Sequence, residues 1–299
     1  MTKDKELYYF DYKNKLKVTF NNKIDTDLLL NIGNYELFNG VNLAIYGNEI
    51  IQFKNVVLNE NGTYTNSYEA LIQNYNLGHR VFEFDFMPTS DNNLALVHDW
   101  YQFGYQNNMA MSSEEWKSFE AYGGPKTDSR YTSMLIGDLL DEMLVNKDIY
   151  VVTDGKIDSE GARLEFQVIY EEAMKRDPEL LNRIVPQIYN NEMYDVVMGI
   201  YEFPSIIYTT YATTLTAQEI IEFCKLHDNI DMIAAHDEDV RFDAITIEEI
   251  HNNGMMFFVH TINTYNEITI NSSRGCDGFY TDLLLPSDLE VYNRISGKR

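Results

Sequence analysis

Short runs of apolar residues recur along the chain, separated by stretches in which apolar positions return every three or four residues. Runs rich in β-branched and aromatic residues are typical of buried strands, and the longer spacing is typical of amphipathic helices. The pattern predicts strands at 42–47, 80–86, 94–98, 148–154, 183–189, 205–211, 230–236, 255–262 and 278–281. It predicts helices at 65–71, 131–146, 159–176, 217–227 and 246–252.

Strands that alternate with helices in this way predict an α/β fold with a parallel sheet. Without the extra strand at 94–98 there are eight units, and eight units in about 250 residues are the size of a (β/α)8 barrel. Residues 1–40 are polar and rich in Tyr, Asn and Lys, which predicts a small N-terminal extension before a barrel at 41–299. The long polar segment 101–132 is expected to lie over the carboxyl ends of the strands.

The strand predicted at 80–86 carries charges that a buried strand normally lacks. Strand alternation places Glu83 and Asp85 on one face and three Phe rings on the other. An unpaired buried carboxylate costs several kcal/mol, so a hard divalent cation, Mg²⁺ or Ca²⁺, is the natural compensation. His98, a titratable group, follows this strand closely in the sequence, and Asp154 ends another predicted strand. The competing interpretation is an edge strand with solvated acids and a structural histidine.

The order of these residues resembles the signature of the glycerophosphodiester phosphodiesterase family. That signature contains an E-x-D strand, a T-x-D turn and a strand that ends in His-Asp. The matching pairs here are Glu83/Asp85, Thr89/Asp91 and His98/Asp99, with further matches at 65–71, 154–156, 259–263 and 275–282. The resemblance runs from about residue 41 to 286 and implies a barrel of the PLC-like phosphodiesterase type.

The resemblance also implies roles for single residues. Glu83, Asp85 and Asp154 would be the metal ligands. Lys156 would contact the phosphate and help to neutralise it, and His98 would transfer a proton. Tyr46 and Gln187 are the other substrate-binding candidates that we derive from it.

One position of the family pattern is replaced in this chain. The first family strand ends in A-H-R-G, whereas the aligned residues 44–47 read Ala-Ile-Tyr-Gly, so Ile45 stands where the first catalytic histidine is expected. His260 occupies the place of a family Trp that borders the pocket, and an imidazole there titrates near neutral pH. We therefore expect His260 to substitute as acid or base. His227 and His251 are expected at helix ends, and His236 as a loop histidine beside acids.

Composition restricts the partners of this protein. A net charge of −24 argues against a nucleic-acid or anionic-membrane surface, because both require basic patches. Two cysteines do not make a disulfide framework and suit a reducing compartment. No apolar run approaches the roughly 20 residues of a membrane-spanning helix, and the first residues lack the apolar core of a signal peptide. A soluble cytoplasmic protein with a small phosphodiester substrate is the expectation.

Three functional hypotheses follow. The first is a metal-dependent phosphodiesterase that acts on a glycerophosphodiester or a related sugar or polyol phosphodiester, with reduced activity because of the replaced histidine. The second is a catalytically impaired barrel that binds such a diester without hydrolysing it. The third is a lyase that releases a cyclic phosphate. Any turnover separates the binder from the two enzymes, and the product separates hydrolysis from the lyase reaction.

Overall fold

The computed structural model describes residues 6–10, 15–19, 51–55, 65–101, 110–118, 131–155 and 159–288. Near the N-terminus, strands β1 (Glu6–Phe10) and β2 (Lys15–Thr19) pair antiparallel with each other in a sheet of two. This agrees with a small β-type segment at the start of the chain, while the boundary at residue 40 stays a prediction.

The remaining strands form the barrel. They are β3 (Ile51–Asn55), β4 (Val81–Pro88), β5 (Leu94–Leu96), β6 (Tyr150–Asp154), β7 (Ile184–Val185), β8 (Gln187–Ile188), β9 (Ile206–Thr209), β10 (Ile230–His236), β11 (Met256–His260) and β12 (Gly278–Thr281). β5 is antiparallel to β4, and every other pairing among these strands is parallel.

The sheet order β7-β6-β4-β3-β12-β11-β10-β9-β8 closes on itself, because β7 and β8 are two halves of one strand on either side of Pro186. Proline has no backbone N–H to donate, but its carbonyl still accepts from Ile207 N at 2.9 Å. Within the described part of the chain there are thus eight parallel barrel strands, with the fourth in two pieces. The predicted (β/α)8 fold is confirmed.

Helices follow the strands around the outside. They are α1 (Tyr68–Asn76), α2 (Ser113–Lys117), α3 (Ile136–Val145), α4 (Ser159–Met174), α5 (Asn191–Met198), α6 (Ala217–Cys224), α7 (Ala244–Asn252) and α8 (Tyr265–Arg274), with a 3-10 helix at Pro178–Arg183. Ser67, Thr216 and Thr264 cap α1, α6 and α8 through their hydroxyls, which satisfies a backbone N–H that a helix start leaves unpaired. The apolar spacing did not predict α2, α5, α8 or the 3-10 helix, because these are short or rich in polar residues.

The first barrel strand is not where the sequence pattern placed it. β3 pairs with β12 on one side and with β4 on the other, so residues 51–55 occupy the position predicted for 42–47. The apolar pattern did not predict a strand at 51–55. The run at 43–45 is more continuously apolar, but 51–55 alternates apolar and polar residues, which is equally a strand pattern. Residues 42–47, with Ile45 and Tyr46, lie outside the described residues.

The two faces of β4 have different surroundings. Phe82, Phe84 and Phe86 are fully buried in the layer between the barrel and its helices. Val81 belongs to the separate cluster inside the barrel. Because side chains alternate along a strand, Glu83 and Asp85 share the interior side with Val81. The two acids of this strand thus face the barrel interior near the carboxyl end of β4.

The segment 101–132 contains ordered structure at the carboxyl end of β4. Ser90 N donates to Met111 O (2.9 Å), and Ser113 N donates to Asp91 Oδ1 (2.9 Å). Trp116 of α2 is fully buried, and its indole donates to Met134 O at 2.8 Å. Residues 102–109 and 119–130 lie outside the described part, so the expected position of the whole segment over the strand ends stays a prediction.

At the opposite end of the barrel, His251 links α7 to the sheet. Its Nε2 lies 2.8 Å from Asp277 Oδ2, which also accepts from Phe257 N at 2.8 Å. The hydrogen bond with Asp277 is the main cause that raises the pKa of His251, against burial, which lowers it. His251 does end a helix, as expected, but a carboxylate is its partner.

Stability should therefore depend on pH through His251. A raised pKa in the folded state means that the contribution is fully present below the unfolded value of 6.5 and is lost as pH rises through the folded pKa. The free energy of unfolding of wild type should exceed that of His251→Gln by up to about 1 kcal/mol more at pH 5.5 than at pH 8.5. Urea denaturation of both proteins measures this, with His227→Gln as control. The same difference at both pH values would contradict it.

Candidate active site

Three carboxylates meet at the carboxyl ends of two adjacent strands. Asp85 of β4 and Asp154 of β6 are register partners, and Glu83 precedes Asp85 on the same face. One oxygen from each of Glu83, Asp85 and Asp154 lies within 4.8 Å of the others. The residues are only 8%, 7% and 9% exposed. The structure thus brings together the three residues that the sequence singled out as metal ligands.

This acidic triad fits a hard divalent cation. Two like charges at 4 Å repel by about 4 kcal/mol at the effective dielectric of a protein surface, so three largely buried carboxylates require compensation. Carboxylate oxygens are the ligands that Mg²⁺ and Ca²⁺ prefer. Among the described residues neither Cys nor His belongs to the cluster, and these are the ligands typical of zinc sites.

Asn66 binds both the carboxylate and the backbone N–H of Asp85. Its Nδ2 donates to Asp85 Oδ2 at 3.0 Å, and its Oδ1 accepts from Asp85 N at 3.1 Å. Asn66 is fully buried, and its φ of 45° lies in the left-handed region that Asn tolerates better than most residues. Because Ser67 caps α1 directly afterwards, the start of this helix is fixed to the site. The reciprocal pair of bonds orients one metal ligand.

We expect Asn66→Gly to weaken divalent-metal binding about tenfold, because groups that orient metal ligands contribute on the order of 10–100-fold to affinity. Glycine keeps the left-handed backbone without strain but removes both bonds to Asp85. Calorimetric titration with Mg²⁺ and Ca²⁺ measures the change.

Asn66→Asp is the matched variant. It keeps the acceptor for Asp85 N but turns the donor into a second carboxylate beside Asp85 Oδ2, so it should bind metal no better than Asn66→Gly. Wild-type affinity in both variants would show that Asn66 serves only to start α1.

Asp154 is held by two tyrosines. Tyr189 donates to its Oδ1 at 2.5 Å and Tyr211 donates to the same oxygen at 3.2 Å. Burial, and then the charge of Asp154, raises the pKa of both phenols, so both remain proton donors at neutral pH. Neither tyrosine was predicted as a site residue from the sequence. Both lie just beyond the strand ends at Ile188 and Thr209, where the site residues of barrels lie, and this position could have identified them.

His98 is delivered next to the triad by β5. Val97 N donates to Asp85 O at 3.1 Å, so His98 follows the last backbone bond between this segment and β4. Its Nδ1 lies 2.8 Å from Asp99 Oδ2, and its side chain is 38% exposed. Since a carboxylate only accepts hydrogen bonds, this contact assigns the proton of neutral His98 to Nδ1 and makes Nε2 the basic nitrogen.

Gln187, predicted to bind substrate, is buried inside the barrel. Its Nε2 donates to Thr153 O at 3.0 Å, and its Oε1 accepts from Thr209 at 2.7 Å and from Tyr280 at 3.0 Å. Its second amide hydrogen has no partner among the described residues. These bonds tie neighbouring strands together just below the triad. Substrate binding by Gln187 stays a prediction.

His260 lies at the end of β11, where the sequence placed a substitute acid or base. Burial, and then the neighbouring His236, lowers the pKa of His260 to about 4. Its Nε2 is buried without a hydrogen-bond partner among the described residues. A neutral imidazole with so low a pKa carries few protons at pH 7, and these properties favour a role as an aromatic wall over the predicted proton transfer. Lys156 and Tyr46 lie outside the described residues.

The first barrel strand contributes no histidine in either alignment. The chain has six histidines, and the first of them along the sequence is His79. Neither 42–47 nor β3 therefore includes one. Asn55 of β3 is the register partner of Glu83. Two histidines therefore lie near the triad in the described part of the chain: His98, which follows the backbone bond from Val97 N to Asp85 O, and His260, whose ring packs on Tyr211.

Among the solved structures with a similar fold are several glycerophosphodiester phosphodiesterases. A phosphodiesterase from Oleispira antarctica in complex with the product sn-glycerol-3-phosphate has a TM-score of 0.64 at 14% identity, covering 83% of this chain and 98% of the other. For a glycerophosphodiester phosphodiesterase from Parabacteroides distasonis the values are 0.64, 16%, 84% and 100%. For one from Thermotoga maritima they are 0.59, 15%, 82% and 98%.

These similarities establish the fold. The chain is an α/β protein with a (β/α)8 barrel similar to that of the glycerophosphodiester phosphodiesterases, and its strand ends carry three carboxylates that could hold a metal ion. Comparison with family models and with curated proteins finds no match. Of the helices that the structure describes, none has the length and apolar character needed to cross a membrane.

Proposed function

We propose that the protein is a metal-dependent phosphodiesterase whose substrate is a glycerophosphodiester or a related sugar or polyol phosphodiester. The observation that carries this proposal is the buried triad of Glu83, Asp85 and Asp154, with His98 beside it, at the carboxyl end of the barrel. The same fold in phosphodiesterases, one of them with bound sn-glycerol-3-phosphate, supports the substrate class. The net charge of −24 gives the protein a negative electrostatic field that repels a phosphate, so any phosphate ligand needs a local cation.

The residues of this chain divide the work as follows. A divalent cation on the triad would neutralise phosphodiester charge, which is the larger contribution in phosphoryl transfer. Lys156 follows Asp154 by two positions and would add a positive charge at the phosphate. Asn66 and the two tyrosines fix the carboxylates. His98 Nε2 would take a proton from the attacking hydroxyl or return it to the leaving oxygen, with Asp99 holding the imidazole.

The cytoplasm is the compartment we propose for this enzyme. Cys224 and Cys276 are both buried and unpaired, which suits a reducing environment. Burial raises the pKa of Cys276 to about 12, so this thiol is unreactive at neutral pH. Neither cysteine is therefore required for catalysis.

A specific observation favours the second hypothesis, that of a barrel that binds a diester without turnover. The first strand has no histidine, and His260 has the properties of a wall rather than of an acid or base. Without a second acid or base the protein would still bind the diester, but it would lose the about 10²–10⁴-fold that proton transfer typically contributes to turnover.

The experiment that tests the proposal is an assay of glycerophosphodiesters with the metal-stripped protein after addition of Mg²⁺ or Ca²⁺. Phosphorus NMR identifies the product as a linear phosphomonoester, as we expect, or as the cyclic phosphate of the lyase hypothesis. Turnover should disappear with EDTA and return with metal. Saturable binding of the diester without any product would establish the binder instead.

His98→Ala should lower kcat by about 10²-fold or more if His98 transfers the proton. His260→Ala is the matched comparison and should change kcat by no more than a few-fold, because a neutral buried imidazole contributes little acid–base catalysis. An equal loss in both variants would restore His260 as a catalytic residue.

A further inference from the structure

Three aromatic side chains stand at one level on three consecutive strands. His236 of β10 is the register partner of His260 of β11, and Ala234 of β10 pairs with Thr209 of β9. Two residues further on, Tyr211 therefore lies at the level of His236. Ala234 belongs to the cluster inside the barrel, and side chains two positions apart share a face. Tyr211, His236 and His260, which we name the aromatic arc, thus line the mouth of the barrel.

The rings of the arc are set at right angles. Tyr211 and His260 have centroids 6.1 Å apart with planes at 85°, and His236 and His260 are 5.6 Å apart at 88°. The two outer rings are each perpendicular to the middle one. Tyr280, inside the barrel, packs against His260 at 6.0 Å. Tyr211 is 49% exposed and the His236 side chain 56% exposed, so the outer rings offer faces to a ligand.

The charges around the arc are predominantly negative. Asp237, Glu238 and Asp239 directly follow His236. The one basic group in the same loop, Arg241, is bonded to Asp239 at 2.7 Å and to the carbonyls of the loop after β9. The field at the arc therefore favours a cation, and so does the −24 net charge of the chain.

The buried imidazole of the arc does not oppose a cation. The pKa of His260 is lowered to about 4 by burial and by His236. His236 Nδ1 accepts from Glu238 N at 3.2 Å and lies 3.1 Å from Asp237 Oδ1, so the loop acids hold this ring in place.

The arc begins at the triad. Tyr211 donates to Asp154 Oδ1 at 3.2 Å while its ring faces His260. The acids belong to β4 and β6, and the arc belongs to β9, β10 and β11 on the other side of the mouth. A phosphodiester whose phosphate lies at the triad would extend one of its two alcohol groups over the rings.

We propose that the aromatic arc binds a quaternary ammonium group, carried by the alcohol portion of the phosphodiester substrate. The face of Tyr211 attracts a cation, the two imidazole rings enclose it with apolar ring surface, and the acids after His236 supply negative charge at a distance that a quaternary ammonium, which has no N–H to donate, does not need to contact directly. That the ammonium group belongs to a phosphodiester substrate rests on the proposed function, whereas binding of the ammonium group itself does not.

The binding test uses choline and its neutral isostere, 3,3-dimethylbutan-1-ol, with the metal-stripped protein. The two have nearly the same shape and differ in charge. Choline should bind at least about fivefold more tightly, as about 1 kcal/mol of cation–π attraction requires. Tyr211→Phe should keep this preference, because the ring remains, and Tyr211→Leu should lose most of it. Equal binding of both probes to wild type would overturn the proposal.

Two further variants separate folding from binding. His236→Leu removes a ring of the arc without touching Asp154, and His236→Phe restores a ring, so the choline preference should fall in the first and return in the second. Circular dichroism checks that each variant is folded. If His236→Leu and Tyr211→Leu both bind choline as wild type does, the arc is not the site.

The substrate test compares kcat/KM for glycerophosphocholine, glycerophosphoethanolamine and glycerophosphoglycerol in the presence of metal. Preference for glycerophosphocholine that disappears in His236→Leu supports the whole proposal. Choline preference in binding without hydrolysis of any diester would leave the arc standing and overturn the phosphodiesterase function. Hydrolysis without headgroup preference, together with no choline binding, would overturn the arc alone.

Discussion

Asp85→Ala should abolish divalent-metal binding and lower turnover by about 10³-fold or more, since charge stabilisation by a metal is worth several kcal/mol and each 1.36 kcal/mol is about tenfold in rate. Asp85 supplies one of three carboxylates within 4.8 Å, and Asn66 fixes its orientation. Calorimetry with Mg²⁺ and Ca²⁺ and the diester assay measure the two losses.

The melting temperature of the metal-free protein is an independent measure of the effect of Asp85→Ala. Removal of one of three mutually repelling carboxylates should raise the melting temperature of Asp85→Ala above that of wild type in EDTA. Added metal should then stabilise wild type but not the variant, because only a ligand that binds the folded state raises stability. Asp195→Ala, an exposed acid on α5, is the control. Equal metal binding by Asp85→Ala would mean that the acids are merely solvated.

A second large effect is expected at Glu165. This residue of α4 is 1% exposed, and its Oε1 has no hydrogen-bond partner among the described residues. Burial, and then the nearby charge of Asp154, raises its pKa from 4.5 to about 8, although the hydroxyl of Thr153 acts in the opposite direction. Glu165 is therefore a neutral acid at pH 7, packed behind the strand that carries Asp154.

The free energy of unfolding should fall as pH rises from about 4.5 to about 8, with a slope approaching about 1.4 kcal/mol per pH unit. In this window the folded state holds a proton that the unfolded state has lost. Glu165→Gln cannot ionise, so its free energy of unfolding should not fall in this way. It should be more stable than wild type at pH 8, by an amount that shrinks toward pH 5.

Urea denaturation in EDTA at several pH values measures this difference. The exposed Glu171 lies on the same helix, so Glu171→Gln is the matched control and should follow wild type throughout. Parallel curves for wild type and Glu165→Gln would show that Glu165 ionises normally in the folded protein.

The fold was predictable wherever a strand is continuously apolar between clear turns. The predicted 230–236 and 278–281 coincide with β10 and β12, because few other structures bury such runs. The first strand was misplaced, since Ile51–Asn55 is half polar and takes its position from pairing with β4 and β12. Local pattern does not encode a pairing between residues that lie far apart in sequence.

The site was predictable where chemistry made a residue conspicuous. Acids in the middle of a buried strand have few explanations, and Glu83 and Asp85 were identified for that reason. Tyr189 and Tyr211 are two of 22 tyrosines, so residue type alone did not mark them. They reach Asp154 only through the curvature of the closed sheet. The pKa of His260 likewise depends on burial that no local pattern reveals.

Pro186 has a consequence beyond the interruption of one strand. It divides the closed sheet into a first part, β3 to β7, that holds every acid of the triad, and a second part, β8 to β12, that holds the whole aromatic arc. The metal and phosphate of a ligand would thus lie against the first part of the sequence, and its alcohol group against the second part. If the arc binds the headgroup, substitutions at His236 or His260 would change headgroup preference and leave the triad intact, whereas substitutions at Tyr189 or Tyr211 would act on both, because these tyrosines also hold Asp154.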